Sequence, residues 1–331
     1  MRPRRSGPSI GRLRRSRISA VLRGQRRCIA PPGAAAAALG ELSGFTEANN
    51  TFIDVALDLG EQALLAALDA ANVKPADVDV VVSTTVTGLA VPTLEARLAA
   101  RVGLRPDVKR IPLFGLGCVA GAAGVARLYD YLRAYPDHVA ALLAVELCSL
   151  TIQRDDRSMA NFVAASLFGD GAAAVIATGA NRRPVTPRAP KVLATRSRLY
   201  ADTQDVMGWD IGTSGFRIKL SVDVATVVEK YLAEDVRNFL ADCGMSVDDV
   251  STYVCHPGGP KVIEAVQDVL DLPAVALDRT RTSLRENGNL SSVSVLDVLR
   301  ATLAEPPPPG SFGLMVAMGP GFCSELVLLG W

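Results

Sequence analysis

KRIPLFGLGCVAGAAGVARLYDYLRAYPDHVAALLAV, Lys109–Val145, reads as a strand, a turn, a helix and a second strand in one continuous stretch. Lys109–Leu113 is the first strand and Gly115-Leu116-Gly117 a tight turn. From Val119 to Tyr135 small and apolar residues run on to the breaker Pro136. Val139–Val145 is apolar throughout, as a strand covered on both faces must be. Buried strands alternating with helices define an α/β layered fold. Cys118 lies directly after the Gly-x-Gly turn and directly before the helix, so the chemistry and the fold meet in this stretch.

Upstream, Phe52–Ala71 puts apolar residues at helical spacing with charges on the other face, Val78–Thr84 is a buried strand and Thr93–Val102 a helix. Downstream, the turn Phe168-Gly169-Asp170-Gly171 leads into the strand Gly171–Thr178. Asn181–Pro190, rich in proline and arginine, marks an internal boundary, beyond which the pattern restarts. Strand Val192–Arg198, helix Val222–Asp242, strand Tyr253–Cys255, helices Lys261–Leu270 and Ser291–Leu303, and strands Leu314–Ala317 and Cys323–Leu329 follow. The division expected is an Arg/Ala-rich segment 1–43, an α/β half 44–185 carrying Cys118, and a similar half 186–331.

Composition narrows the function classes. Of 331 residues 49% are hydrophobic and 5% aromatic, and 35 basic against 34 acidic side chains leave a net charge of +1. Disorder is excluded as the main state, and there is no overall positive field to hold nucleic acid. No apolar run reaches the roughly 18 residues of a membrane helix. The six cysteines (Cys28, Cys118, Cys148, Cys243, Cys255, Cys323) include no Cys-x-x-Cys pair, which fits neither a zinc site nor a disulfide framework and points to a reducing cytoplasm. No metal is expected. The first 27 residues hold ten arginines and no acid, the texture of a transit peptide, a phosphate-binding arm or a misplaced start.

A thiol at a helix N-terminus faces the positive end of the helix dipole, which favours thiolate, although a buried structural cysteine would read the same way. His256 ends an apolar strand and opens His-Pro-Gly-Gly-Pro, at a strand end where α/β sites gather; a satisfied turn histidine is the alternative. His138, in a polar turn, reads as a surface residue. Asn289, in Asn287-Gly288-Asn289-Leu290-Ser291-Ser292, is by itself a cap or turn residue.

Together, Gly117-Cys118, HPGGP at His256–Pro260 and GNLSS at Gly288–Ser292 resemble the type III polyketide synthases, the chalcone-synthase-like family. LFGDGAAA (Leu167–Ala174), WDIGTSGFRI (Trp209–Ile218) and MGPGFCSELVLL (Met318–Leu329) extend the likeness. The resemblance implies a thiolase fold of two similar layered α/β halves, a homodimer, and no cofactor beyond coenzyme A thioester substrates, acyl-CoA and malonyl-CoA. It implies Cys118 as the nucleophile that carries the chain, with His256 and Asn289 stabilising the enolate left by malonyl-CoA decarboxylation. His256 would also pair with the Cys118 thiolate. Phe168 and Phe216 match the family's gate phenylalanines, and Thr85, Val86 and Ser291 fall near the cavity wall. Ungapped spacing puts Arg14 and Arg17 on two early-helix positions that hold coenzyme A phosphates, with Val21 on a third. The initiating β-ketoacyl synthases share Cys, His and Asn but not these surroundings. The small loop Val86–Ala90 and the Ala/Arg texture resemble bacterial members, which implies an aliphatic acyl starter and an alkylpyrone or alkylresorcinol product. An aromatic starter, or malonyl-CoA as its own starter with a naphthalene product, is the alternative. The family's first strand and helix look curtailed in this chain, which leaves an inactive member as the rival from another class.

Overall fold

The computed structural model describes residues 16–21 (backbone), 44–182, 188–221 and 223–331. Eleven strands and eight α-helices are seen among them. The strands are β1 (Ser16–Val21), β2 (Val80–Thr85), β3 (Lys109–Phe114), β4 (Val139–Leu147), β5 (Asp170–Thr178), β6 (Lys191–Leu199), β7 (Met207–Gly212), β8 (Gly215–Leu220), β9 (Val250–Cys255), β10 (Phe312–Gly319) and β11 (Cys323–Gly330). The helices are α1 (Phe45–Ala71), α2 (Leu94–Val102), α3 (Ala120–Ala134), α4 (Met159–Leu167), α5 (Val224–Asp242), α6 (Pro260–Val269), α7 (Asp278–Asn287) and α8 (Ser292–Ala304).

Nine strands form one sheet in the order β3-β2-β4-β5-β1-β6-β11-β10-β9, and β7 and β8 form a separate hairpin. Read outward from the central pair β1 and β6, the two sides repeat. β5 and β11 are antiparallel to their inner neighbours, β4 and β10 are antiparallel to those, and β2 and β9 then run parallel to β4 and β10. This is the plan of two similar halves, with β3 extending one side. β4 and β5 are buried along their whole length, which explains their unbroken apolar sequences.

Helices α3 and α8 lie between the two sides of the sheet. Val125 and Leu128 of one and Val295 and Leu299 of the other share a core with Val82 and Leu142 of the first half and Val254 and Met315 of the second. α1 and α2 cover the outer face of the first half, and α5 and α6 that of the second. Close approach of α3 and α8 requires a glycine. A Cβ on Gly121 would stand 2.2 Å from the Ser292 carbonyl oxygen and 2.6 Å from Val295. The small residues after Cys118 therefore bring the start of α3 against the start of α8, and the functional residues precede both helices.

The sequence reading placed no element before Phe52, yet Ser16–Val21 is a strand between β5 and β6. The family's first strand therefore has a counterpart here. Spacing puts Arg17 on a helix. The backbone instead makes it a mid-sheet strand residue, opposite Thr178 and Lys191. Arg14 lies outside the described residues. α4, α7 and the hairpin β7–β8 also had no expected counterpart. Among the described residues no helix is long and apolar enough to cross a membrane.

Candidate active site

Cys118 lies in a 3-10 turn, Gly117–Val119, that runs directly into α3. Gly117 has φ +53°, and a Cβ there would meet Pro320 at 2.8 Å, so the turn is held against the β10–β11 connection. His256 follows the last residue of β9, its N–H donating to the Val316 carbonyl at 2.8 Å. Asn289 is fixed between α7 and α8. Its N–H donates to the Leu167 carbonyl at 2.8 Å, and its carbonyl accepts from Gly169 N–H at 3.0 Å. Those two bonds flank Phe168, so the LFGDG and GNLSS motifs are one unit in space. The Asn289 side chain donates from Nδ2 to the Gly258 carbonyl at 3.2 Å and accepts from Ser291 N–H at Oδ1 at 2.9 Å.

Cys118, His256, Asn289 and Phe168 line one cavity of about 520 Å³. Its other walls are mainly apolar, with Met159 and Val163 of α4 and Val224 and Val228 of α5 among them. Beyond Cys118 a small chamber of about 40 Å³ is lined by Val86, Phe168, Ile218, Leu220 and Ser291. Ser291 Oγ lies 3.8 Å from Cys118 Sγ.

Phe216 is elsewhere. Its ring packs edge-on against Phe45 at 5.5 Å and beside Trp209, and it faces a separate pocket of about 400 Å³. Phe216, Ile218 and Leu220 alternate onto one face of β8, and it is Ile218 and Leu220 that reach the Cys118 chamber. The β8 residues that share the chamber with Phe168 are therefore aliphatic. Thr85 lines neither space; its hydroxyl donates to Glu146 Oε2 at 3.4 Å.

Glu146 had no signal beyond being the one carboxylate near the end of an otherwise apolar strand. It is fully buried and accepts from Val86 N–H at 3.0 Å, Thr87 Oγ1 at 2.9 Å and Ser292 Oγ at 2.5 Å. It thus ties the chamber wall to the start of α8. Burial raises its pKa to about 6. Cys148 is a second buried thiol in the small chamber. His138 is held at the surface, stacked on Tyr135 and hydrogen-bonded to Tyr131.

Electrostatics at the site are set by burial. The Cys118 thiol is pushed up to about 12, first by desolvation, with the Ser291 hydrogen bond opposing and the Glu146 charge adding to the rise. The helix terminus favours thiolate but is outweighed. Desolvation pulls His256 down to about 4, and among the described residues neither ring nitrogen has a partner. Burial therefore works against the charged form of both side chains, opposing the ion pair that the family resemblance implies.

The family model described as "FAE1/Type III polyketide synthase-like protein" matches residues 44–241, and that for "Chalcone and stilbene synthases, C-terminal domain" matches 192–330. A 1,3,6,8-tetrahydroxynaphthalene synthase of Streptomyces peucetius subsp. caesius is 53% identical over 96% of this chain and 83% of its own. The chain belongs to the type III polyketide synthases. A putative chalcone synthase of Bacillus subtilis is 41% identical over 77% of this chain and 71% of its own. The solved 1,3,6,8-tetrahydroxynaphthalene synthase of Streptomyces coelicolor A3(2) superposes with a TM-score of 0.85 at 27% identity, covering 96% of this chain and 99% of that one. The fold is thus thiolase-like, and the polyketide synthase is an acyltransferase-type enzyme.

The upward shift of the Cys118 thiol in this polyketide synthase has a direct consequence for reactivity. The folded-state pKa is raised, so thiolate remains a small fraction at neutral pH and grows about tenfold per pH unit well below the pKa. The rate of Cys118 alkylation by iodoacetamide should therefore climb steadily from pH 7 to pH 9, with no plateau, when read by peptide mass spectrometry. A plateau below pH 8 would mean a standing thiolate–imidazolium pair.

Proposed function

We propose that Cys118 carries the growing chain, that malonyl-CoA supplies the extender units, and that malonyl-CoA also supplies the starter. The observation that carries the condensation chemistry is one cavity holding a thiol, an imidazole whose nitrogens have no partner among the described residues, and the Asn289 amide. Cys118 sulfur attacks the starter thioester carbonyl, the carbon–sulfur bond to coenzyme A breaks, and the thiol proton goes to the departing coenzyme A. Malonyl-CoA then loses carbon dioxide, and the electron pair moves onto its thioester oxygen. The His256 N–H and the Asn289 Nδ2 amide donate to that oxygen. The enolate carbon attacks the acyl–Cys118 carbonyl and releases the sulfur, and the lengthened chain is borne by coenzyme A. These residues need no metal or redox cofactor for these steps.

The small starter is supported by the chamber of about 40 Å³ beyond Cys118 and by the likeness to tetrahydroxynaphthalene synthases. The aliphatic starter remains the second reading, favoured by the apolar walls of the 520 Å³ cavity. Incubation with labelled malonyl-CoA, alone and with short, long and aromatic acyl-CoA starters, separates the two by product mass. Product from malonyl-CoA alone is expected. Product only with a fatty acyl-CoA would overturn the starter assignment, and none with any starter would overturn the condensation itself.

Homodimerisation belongs to the same proposal. β3 is an edge strand of the sheet, with Phe114 47% exposed, and a second copy's β3 would cover it. A single-chain mass by light scattering would exclude the dimer.

A further inference from the structure

We propose that Lys261 is the residue at the cavity mouth that holds a phosphate of the coenzyme A head group. This inference rests on the function proposed above. Among the described residues lining the 520 Å³ cavity, Lys261 is the one with a charged side chain. It is exposed, and among the described residues it has neither an ion-pair nor a hydrogen-bond partner. It is the second residue of α6, whose N-terminus adds its own positive dipole end to the same rim. The interior of that cavity also calls for a polar ligand, since the 92% buried His256 lines it and neither ring nitrogen has a hydrogen-bond partner among the described residues.

Chemistry decides which anion the lysine serves. A cation paired with the malonyl carboxylate would stabilise the ground state, because the charge leaves that group as carbon dioxide departs. The small chamber at Cys118 fits this requirement, with no side-chain cation among the described residues that line it. An exposed ammonium at the rim suits a group that does not react, and a phosphate is the anion that a coenzyme A thioester carries at its far end. Lysine binds phosphate as a point charge, without the fork geometry of arginine. Of the arginine positions suggested by spacing, Arg17 belongs to a mid-sheet strand and Arg14 lies outside the described residues.

The test compares wild type, Lys261→Ala and Lys261→Arg with malonyl-CoA and with S-malonyl-pantetheine, which lacks the phosphates. Lys261→Ala should raise KM for malonyl-CoA about fivefold, the loss of one partly exposed charge pair, with kcat little changed. KM for the pantetheine thioester should not move, and Lys261→Arg should restore most of the malonyl-CoA value. An equal KM rise for both thioesters would sink the phosphate assignment, as would no rise for either. Calorimetric binding of free coenzyme A gives a readout that does not depend on turnover. Wild type that binds coenzyme A more tightly than Lys261→Ala, yet forms no product, would leave the lysine assignment standing and remove the proposed reaction.

Discussion

Cys118→Ala should abolish polyketide formation while malonyl-CoA decarboxylation stays measurable. The two halves of the reaction use different atoms. Chain loading needs a sulfur that can attack a thioester and leave again, which alanine cannot supply. Loss of a nucleophile of this kind costs on the order of 10⁴-fold or more. Decarboxylation instead needs donors at the thioester oxygen, and His256 and Asn289 remain in the variant. The fold should tolerate the change, since the Cys118 thiol gives up only weak bonding to Ser291 Oγ at 3.8 Å and to Asn289. Liquid chromatography of products and release of acetyl-CoA read the two activities separately. Extension by the alanine variant at a rate comparable with wild type would reject Cys118 as the carrier. Mass spectrometry of the acylated wild type adds a second check, because Cys148 lines the same small chamber. Acyl mass on the Cys148 peptide in place of the Cys118 peptide would reassign the carrier.

What the sequence made legible follows how each residue signals itself. β4 announces itself as an unbroken apolar run because both its faces are covered, and the glycines after Cys118 announce a close helix crossing. The convergence of Cys118, His256 and Asn289 was legible only through the family motifs, since each residue alone has an ordinary structural reading. Phe216 was misplaced because a period-two strand offers Phe216, Ile218 and Leu220 on one face, and only the seating of the hairpin decides which of them meets Cys118. β1 was hidden by its composition. Its Ser-Arg-Ile-Ser-Ala-Val sequence lacks the apolar run that marks β4, yet its backbone completes the ladders of both β5 and β6. α7 was hidden too, because DRTRTSLREN shows little of the apolar periodicity that reveals α1. Glu146 could not be found by pattern at all. A buried carboxylate is recognised by the donors that converge on it, and those come from Val86, Thr87 and Ser292, all far from Glu146 in the chain.

His256→Ala should lower the decarboxylation rate by about 10²–10³-fold, the usual loss for one donor to a developing oxyanion. His256→Gln should recover part of that loss. A glutamine amide can donate a hydrogen bond from nearly the same place but can neither carry a charge nor accept a thiol proton. Rescue by glutamine therefore identifies the neutral donor role, whereas equal defects in both variants would point to a charged or proton-accepting histidine. Asn289→Ala is the less clean experiment. Its amide also bonds Gly258 and Ser291, so truncation loosens the turn as well as removing the donor. Linkage supplies an independent check on the protonation state. Burial lowers His256 from 6.5 to about 4, so between those values the unfolded chain takes up the proton that the folded chain refuses. Stability from this source is complete above pH 6.5 and falls as the pH drops towards 4. Glu146 acts in the opposite sense, since its pKa is raised from 4.5 to about 6 and the folded state takes up the proton first in that window. The difference between wild type and His256→Gln cancels the Glu146 contribution. Urea denaturation at pH 7 and pH 5 should show wild type losing more stability than the glutamine variant. An equal loss in both proteins would mean that His256 is not held neutral, and the donor assignment would fall with it.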